Sequence, residues 1–181
     1  CNNTRTPVER RGDFAAQIAA IRTGERRLVG LTRRYGMPTL HEHMDAVLDY
    51  AEALTRAALR ALPDGSYDFE DVMEGDGVTD DPLPIRCTVT LADGGITFDF
   101  SGTAPQTAGC INTPLAVTES AALYVTRALV AQDIPANDGV RRAVTLVAPV
   151  GCLINAESPH AVSGGNTETS QRVTDVMLGA L

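Results

Sequence analysis

Apolar residues recur at intervals of three and four along the first third of the chain. This spacing predicts two amphipathic helices within residues 1–62. Asp13 is predicted to cap the first helix. Thr39 and Glu42 are predicted to form a capping box at the start of the second, after a four-residue loop that begins at Gly36. Because the connection is short, an antiparallel helical hairpin is expected.

The pattern changes to a period of two in the middle of the chain. Apolar and polar residues alternate over 85–91 and again over 96–100, with Asp93-Gly94 between the two runs. This arrangement predicts a β-hairpin with one face on a core. A two-residue loop would place Thr88 opposite Asp99 on neighbouring strands.

Helix and strand are mixed in the remaining sequence. A helix is predicted over 118–132, a strand over 143–148 and a final helix from about Thr167. The predicted class is therefore α+β. A helical hairpin over 1–62 precedes a mixed β-hairpin and helix region over 63–181, and the two are expected to fold as one cooperative unit.

Composition removes several classes of protein. The chain has 181 residues and a net charge of −8, and all 15 of its basic residues are arginine. Without lysine, this chain alone cannot carry Schiff-base or pyridoxal-phosphate chemistry, a Walker A loop or a protein-kinase site. The acidic balance argues against nucleic acid as a partner, and no stretch approaches the roughly 20 apolar residues of a membrane span.

The cysteines and the two chain ends predict the setting of the protein. The cysteines at positions 1, 87, 110 and 152 have no C-x-x-C spacing, so neither a zinc nor a redox site is expected. With no apolar leader, buried reduced thiols in a cytoplasmic protein are predicted. The chain begins at Cys1 and ends within an apolar helical pattern, which predicts a piece of a longer polypeptide.

Two polar, glycine-rich segments are candidates for ligand binding. Residues 99–106 leave a predicted strand, and polar loops at strand ends often carry function. Residues 163–168 lead into a helix N-terminus, which suits an anion. Ordinary turns and helix caps remain the alternative for both segments. His41, His43 and His160 lack metal-binding or catalytic spacing and are predicted to face solvent.

Three groups of motifs follow one another along almost the whole chain. They are Gly12-Asp13 with 17–20 and 24–28; 99–103 with Pro105-Gln106, Gly109, Ile111 and Asn112; and 133–135 with Asn137, Gly139, Pro159, 161–162 and 165–170. In this order they resemble the hydantoinase B/5-oxoprolinase family, which includes the B-type subunits of N-methylhydantoinases.

The resemblance implies an enzyme that hydrolyses five-membered cyclic amides such as hydantoins or 5-oxoproline with the aid of ATP. ATP is then bound by an A-type ATPase partner, either a subunit or a fused domain, and a homo- or hetero-oligomer is expected. The metal motif of related carboxylases finds no match here. A divalent metal centre would therefore belong to the full-length subunit, and this piece alone is expected to be inactive.

The same resemblance supplies candidate substrate-binding residues, while the catalytic residues stay unassigned. The candidates are polar or glycine residues inside the matching motifs: Asp99, Ser101, Thr103, Gln106, Asn112, Gly165, Asn166 and Glu168. Two alternatives remain, a subunit of an ATP-dependent acetone or acetophenone carboxylase and a non-catalytic module that binds the A-type subunit. A shared cleft of Asp99, Gln106 and Asn166 would favour the enzyme, whereas exposed apolar surface without such a cleft would favour the module.

Overall fold

The computed structural model describes residues 6–130 and 133–181. The chain divides into two compact units, Cys1–Ala46 and Val47–Leu181. The first unit contains helix α1 (Pro7–Tyr35) and the beginning of helix α2 (Met37–Leu59). The second contains the rest of α2 and all later elements.

Helix α1 exposes its apolar stripe to solvent. None of its residues is buried. Side chains that the sequence predicts to pack, among them Phe14, Ile21 and Leu28, are 51–71% exposed. A helix of this kind gains little from burial on its own and needs a covering surface to be stabilised by packing.

The predicted starts of the first two helices are wrong. Helix α1 begins at Pro7, since proline suits the first helical turn, and Asp13 lies inside the helix. Helix α2 begins at Met37, so Thr39 and Glu42 lie inside it and form no capping box. The predicted four-residue loop is wrong, because Gly36 alone separates α1 from α2. Its φ of 82° is a left-handed conformation that ends the first helix and that glycine adopts readily.

Four strands form one mixed sheet in the second unit. Their order is β1 (Gly65–Met73), β2 (Leu83–Ala92), β3 (Gly95–Asp99) and β4 (Val144–Val147). The first three strands are antiparallel, and β4 runs parallel to β3.

The predicted hairpin is confirmed, including its register. Strands β2 and β3 pair Thr88 with Asp99. Asp93 and Gly94 have φ values of 53° and 74°, the left-handed pair that a type I′ turn requires. Gly94 is also required for space, because a Cβ there would lie 2.9 Å from the carbonyl oxygen of Arg56 in α2.

Two helices accompany the sheet, α3 (Leu115–Val130) and α4 (Ser170–Ala180). Helix α3 starts three residues before its predicted start, and the last two predicted positions lie outside the described residues. A 3₁₀ turn occupies Val140–Ala143, so the last strand begins one residue after its predicted start at 143. A π-helical turn occupies Gly165–Thr169, so the last helix begins at Ser170 and not near Thr167. The α+β class is confirmed.

The core lies between the sheet and these two helices. Helix α4 packs on β1 and β2, and α3 packs on β4 and α4. Ile85, Val89 and Phe98 point into this layer and are fully buried together with Val173 and Met177 of α4. Because strand side chains alternate, the polar residues of β2 and β3 point to the opposite face of the sheet. Across residues 6–130 and 133–181, no helix has the length and apolar character needed to cross a membrane.

Replacing Phe98 by alanine removes the central aromatic ring of this core. We expect Phe98→Ala to lower the free energy of unfolding by about 3–5 kcal/mol. Tyr124→Ala is the control, because Tyr124 is 63% exposed, and it should cost much less. Urea denaturation followed by circular dichroism compares the two, and equal losses would contradict the assigned core.

Candidate functional site

The segment Asp99–Thr103 forms a tight turn where β3 ends. One carboxylate oxygen of Asp99 accepts a hydrogen bond of 2.8 Å from the backbone N–H of Ser101. The chain reverses at Gly102, which has a φ of 90°. Phe100 is fully buried between these polar residues, and its N–H donates to the carbonyl oxygen of Val147 at 2.8 Å. The turn is therefore anchored to the core on one side and open to solvent on the other.

Thr103 fastens this turn to β2. Its hydroxyl accepts from the backbone N–H of Arg86 and donates to the backbone carbonyl of the same residue, each at 3.2 Å. Thr103 itself is only 9% exposed. A Cβ on residue 102 would lie 3.3 Å from the Cδ atom of Arg86, so Gly102 leaves room for the arginine side chain. The motif thus fixes the position of Arg86.

Arg86 and Ser101 line a cavity of about 360 Å³ on the polar side of the sheet. The guanidinium pairs through Nε with the Glu70 carboxylate on β1, and the Thr88 hydroxyl donates to Asp68. The complete lining is Asp68, Phe69, Glu70, Arg86, Cys87, Thr88 and Ser101. The cavity offers both strong donors and strong acceptors at one place.

Arg86 is not among the candidates that the sequence indicates. Its place in an alternating strand marks it as a solvent-facing residue. The sequence nevertheless contains one indication of Arg86, because a two-residue loop brings the end of β3 close to the polar side chains of β2. The contacts of Gly102 and Thr103 that hold Arg86 become visible only in the structure.

Asn112 has a structural role. It is fully buried, and its amide nitrogen lies 3.0 Å from the carbonyl oxygens of Thr107, Gly109 and Ala161. Its amide oxygen accepts from the N–H of Thr107 at 2.7 Å. These contacts join the loop that contains Asn112 to the loop that contains Ala161, and they occupy the side chain's donors.

Gly165 allows close backbone packing in the same region. A Cβ at this position would lie 2.0 Å from the carbonyl oxygen of Asn112. The N–H groups of Thr167 and Glu168 both donate to the carbonyl of Gly164, at 3.1 and 2.8 Å. The glycines therefore serve packing, and these two N–H groups are already bonded within the turn rather than directed at an anion.

The remaining candidates lie apart from the Arg86 cavity. Gln106 joins two loops, because its side-chain oxygen accepts from the N–H of Glu157 at 2.8 Å. Asn166 lines a groove of about 460 Å³ between α3 and α4, together with Tyr124 and Asp175. Glu168 is exposed. These cavities separate Ser101 from Asn166 and do not bring Asp99, Gln106 and Asn166 together.

The third motif group also supports the fold. Asn137 accepts from the N–H of Gly139 at 2.8 Å and donates to the carbonyl of Val47 in α2 at 3.2 Å. A Cβ on residue 139 would lie 2.1 Å from the carbonyl oxygen of Leu48. This loop is thereby joined to the part of α2 that belongs to the second unit.

Asp76 organises the acidic loop before β2. Its carboxylate accepts N–H bonds from Thr79 and Val78, both at 2.8 Å, and from Gly109 at 2.9 Å. These three bonds favour the ionised form, in that order, and lower the pKa of Asp76 from 3.8 to about 2. Gly109 is required there, because a Cβ would lie 2.0 Å from the carbonyl oxygen of Asp76.

The cysteines only partly follow the prediction. Cys87 and Cys152 are free and buried, whereas Cys110 is free but exposed. Cys1 lies outside the described residues. Burial, followed by the nearby charges of Asp99 and Asp68, raises the pKa of Cys87 to about 12, so this thiol stays protonated and unreactive.

The histidines and the other residues that could bind a metal ion form no metal site within residues 6–130 and 133–181. His41 and His43 are exposed as predicted, and His160 is half-buried with Nδ1 3.1 Å from the carbonyl of Glu157. In the same part of the chain, no three His, Cys, Asp or Glu side chains cluster as a metal site would require.

Comparison with known proteins identifies the family. The model of the family described as Hydantoinase B/oxoprolinase matches residues 1–181. The chain belongs to this family. It is 36% identical over 182 residues to a 5-oxoprolinase of Saccharomyces cerevisiae and 35% identical over 191 residues to the B-type subunit of a putative D-/L-hydantoinase from a Pseudomonas species.

The chain spans only part of these relatives. It covers 14% of the yeast protein and 32% of the Pseudomonas protein, with 98% and 99% of its own length aligned. Among solved structures, an ATP-dependent caprolactamase of Pseudomonas jessenii matches 98% of this chain and 31% of its own, with a TM-score of 0.80 and 26% identity. A nucleotide-free acetone carboxylase shares the fold over 85% of this chain and 22% of its own, with a TM-score of 0.73 and 15% identity.

Gly165→Ala tests the close packing under Asn112. Because the added methyl group meets backbone atoms, we expect a loss of about 1–3 kcal/mol or more in the free energy of unfolding. Gly24→Ala is the matched control. Nothing lies within 4 Å of its added Cβ, and alanine in a helix is favourable by about 1 kcal/mol. Denaturant titration decides, and a neutral Gly165→Ala would contradict the packing argument.

Asp76→Asn tests the acidic-loop anchor. A carboxylate whose pKa is lowered by folding stabilises the protein above its unfolded pKa of 3.8 and loses that contribution as the pH falls toward 2. We expect the variant to be less stable at pH 7 and to lose part of the pH dependence between about 4 and 2. Thermal melts over this pH range measure both effects. Identical pH profiles for the variant and the unchanged protein would contradict the assignment.

Proposed function

We propose that this chain is part of a B-type subunit of an ATP-dependent enzyme that opens cyclic amides such as hydantoin or 5-oxoproline. The observation that carries the proposal is the match to the ATP-dependent caprolactamase, which extends over 98% of the chain with a TM-score of 0.80. A lactam, a hydantoin and 5-oxoproline share the ring amide, so the reaction class follows the family name and this neighbour together.

ATP is bound by an A-type partner subunit or fused domain in this proposal. The residues of this chain do not fit a nucleotide. It has no lysine, and its glycine pair before α4 packs against the backbone of residues 110–113 instead of forming an open phosphate cradle. The contribution of this chain is therefore to hold and orient the ring.

The candidates divide by role. Ser101 lines the Arg86 cavity and is the best supported for contact with substrate, and Asp99 closes the turn that holds it. Thr103 supports the turn beside the cavity, whereas Asn112 and Gly165 hold loops that do not line it. The other three candidates, Gln106, Asn166 and Glu168, lie outside this cavity, and a substrate role for them requires a second surface.

A ketone carboxylase subunit is the alternative within the family. The likeness to acetone carboxylase concerns the fold alone, so it supports this alternative less strongly than the caprolactamase match supports ring opening.

An assembly module is the alternative of another class, and two observations favour it. The cavities of the described residues do not bring Asp99, Gln106 and Asn166 together. Helix α1 carries an apolar stripe without a buried residue, which suits a surface that another protein covers. We propose that this function coexists with catalysis in a hetero-oligomer. We also propose a cytoplasmic location, which fits the free thiols of Cys87 and Cys152.

Asp99→Ala and Asn166→Ala test the proposed site in the complete B-type subunit with its A-type partner. We expect the first to lower ATP-dependent ring opening without unfolding the protein, because the turn at Ser101 loses its acceptor. Asn166→Ala should lower ring opening only if the groove between α3 and α4, which Asn166 lines, also contacts substrate. Product formation from hydantoin and from 5-oxoproline measures both, with Asp81→Ala in an exposed loop as the control. Unchanged turnover in both variants would remove these residues from the site.

A further inference from the structure

We infer that Arg86 and Glu70 together bind the amide edge of the ring, with Arg86 donating to the ring carbonyl and Glu70 accepting from the ring N–H. The inference rests on the proposed function and assigns its substrate contact to a pair of residues on β1 and β2. Its basis is the cavity of about 360 Å³ in which both side chains and Ser101 meet.

Arg86 is held in place, but its hydrogen-bonding capacity is not fully used. Its backbone is fixed on both sides by the Thr103 hydroxyl, and its side chain fits against Gly102. Within the described part of the chain, only its Nε atom donates to a protein group, the Glu70 carboxylate. The two terminal nitrogens are thus left for a ligand.

Glu70 is the carboxylate of the cavity that lies beside the Arg86 guanidinium. Among the residues that the structure describes, Asp68 instead accepts from the Thr88 hydroxyl and is not paired with Arg86. Glu70 uses one of its oxygens on Arg86 and keeps the second. The side chains of Arg86 and Glu70 are 55% and 44% exposed, so a ligand can reach both. A guanidinium beside a carboxylate presents a strong donor next to a strong acceptor.

The shape of a cyclic amide matches this pair. A small ring forces its amide into the cis geometry, so the N–H and the C=O point to the same edge. An open-chain amide strongly prefers the trans form, in which the N–H and the C=O point in opposite directions. A neighbouring donor and acceptor therefore suit the amide of a small ring and not an open-chain amide. The cavity volume lies in the range of small-ligand sites, about 300–1,000 Å³.

The test uses the complete B-type subunit with its A-type partner. Arg86→Met should raise the KM for ring opening about 10-fold or more with a smaller change in kcat, since it removes a charged hydrogen bond to the bound ring. Arg86→Lys should recover part of the affinity. Arg141→Met is the matched control, because Arg141 makes a comparable exposed pair with Asp138 at 3.0 Å elsewhere, and it should leave KM unchanged.

A second measurement does not depend on the amount of folded variant. 2-Pyrrolidinone and N-methyl-2-pyrrolidinone are compared as competitive inhibitors. The unchanged complex should prefer the compound with the free N–H by about 10-fold, and Glu70→Met should bring the two inhibition constants close together. Equal constants in the unchanged complex, or the same preference in Glu70→Met, would overturn the assignment of Glu70.

The inference and the proposed function fail in different ways. If the unchanged complex opens no ring with ATP, the proposed function is wrong, and calorimetric binding of 2-pyrrolidinone to the unchanged and Arg86→Met proteins still tests the cavity. If the complex is active and Arg86→Met has the same KM and the same inhibition constants, the inference is wrong while the function stands.

Discussion

The loops at the end of the sheet depend on the buried amide of Asn112. They have little regular secondary structure of their own, so their backbone groups must be satisfied in other ways. The Asn112 side chain joins its own loop to the loop that contains Ala161, and Gly165 lets the chain before α4 approach the Asn112 backbone. The positions of the π-helical turn and of α4 follow from this contact.

A similar principle operates at the end of β3. There the Thr103 hydroxyl takes both backbone groups of Arg86, and the carboxylate of Asp99 closes the turn. In this chain the turn therefore fixes the backbone of an arginine on the open side of the sheet. The inner side is filled by Phe98 and its neighbours and provides a rigid support.

The hairpin and its register were predictable because alternation and a two-residue turn are local signals. The start of α1 was not, because Pro7 competes with Asp13 as a start and no packing face decides between them. The role of Asn112 was equally hidden, since its partner Ala161 is 49 positions away. The sequence did not indicate Arg86 as a site residue for the same reason. Its contacts with Gly102 and Thr103 form only when β2 and β3 have paired.

The second unit contains the candidate cavity and the first contains an exposed apolar helix, and both features fit the enzyme subunit within an assembly that we propose. Our central proposal is that a cyclic amide binds on the open face of the sheet. A crystal structure of the complete subunit complex with 2-pyrrolidinone would decide it. We expect the ring to lie against Arg86 and Glu70, with its carbonyl on the guanidinium, whereas a ring bound elsewhere with this cavity empty would contradict the conclusion.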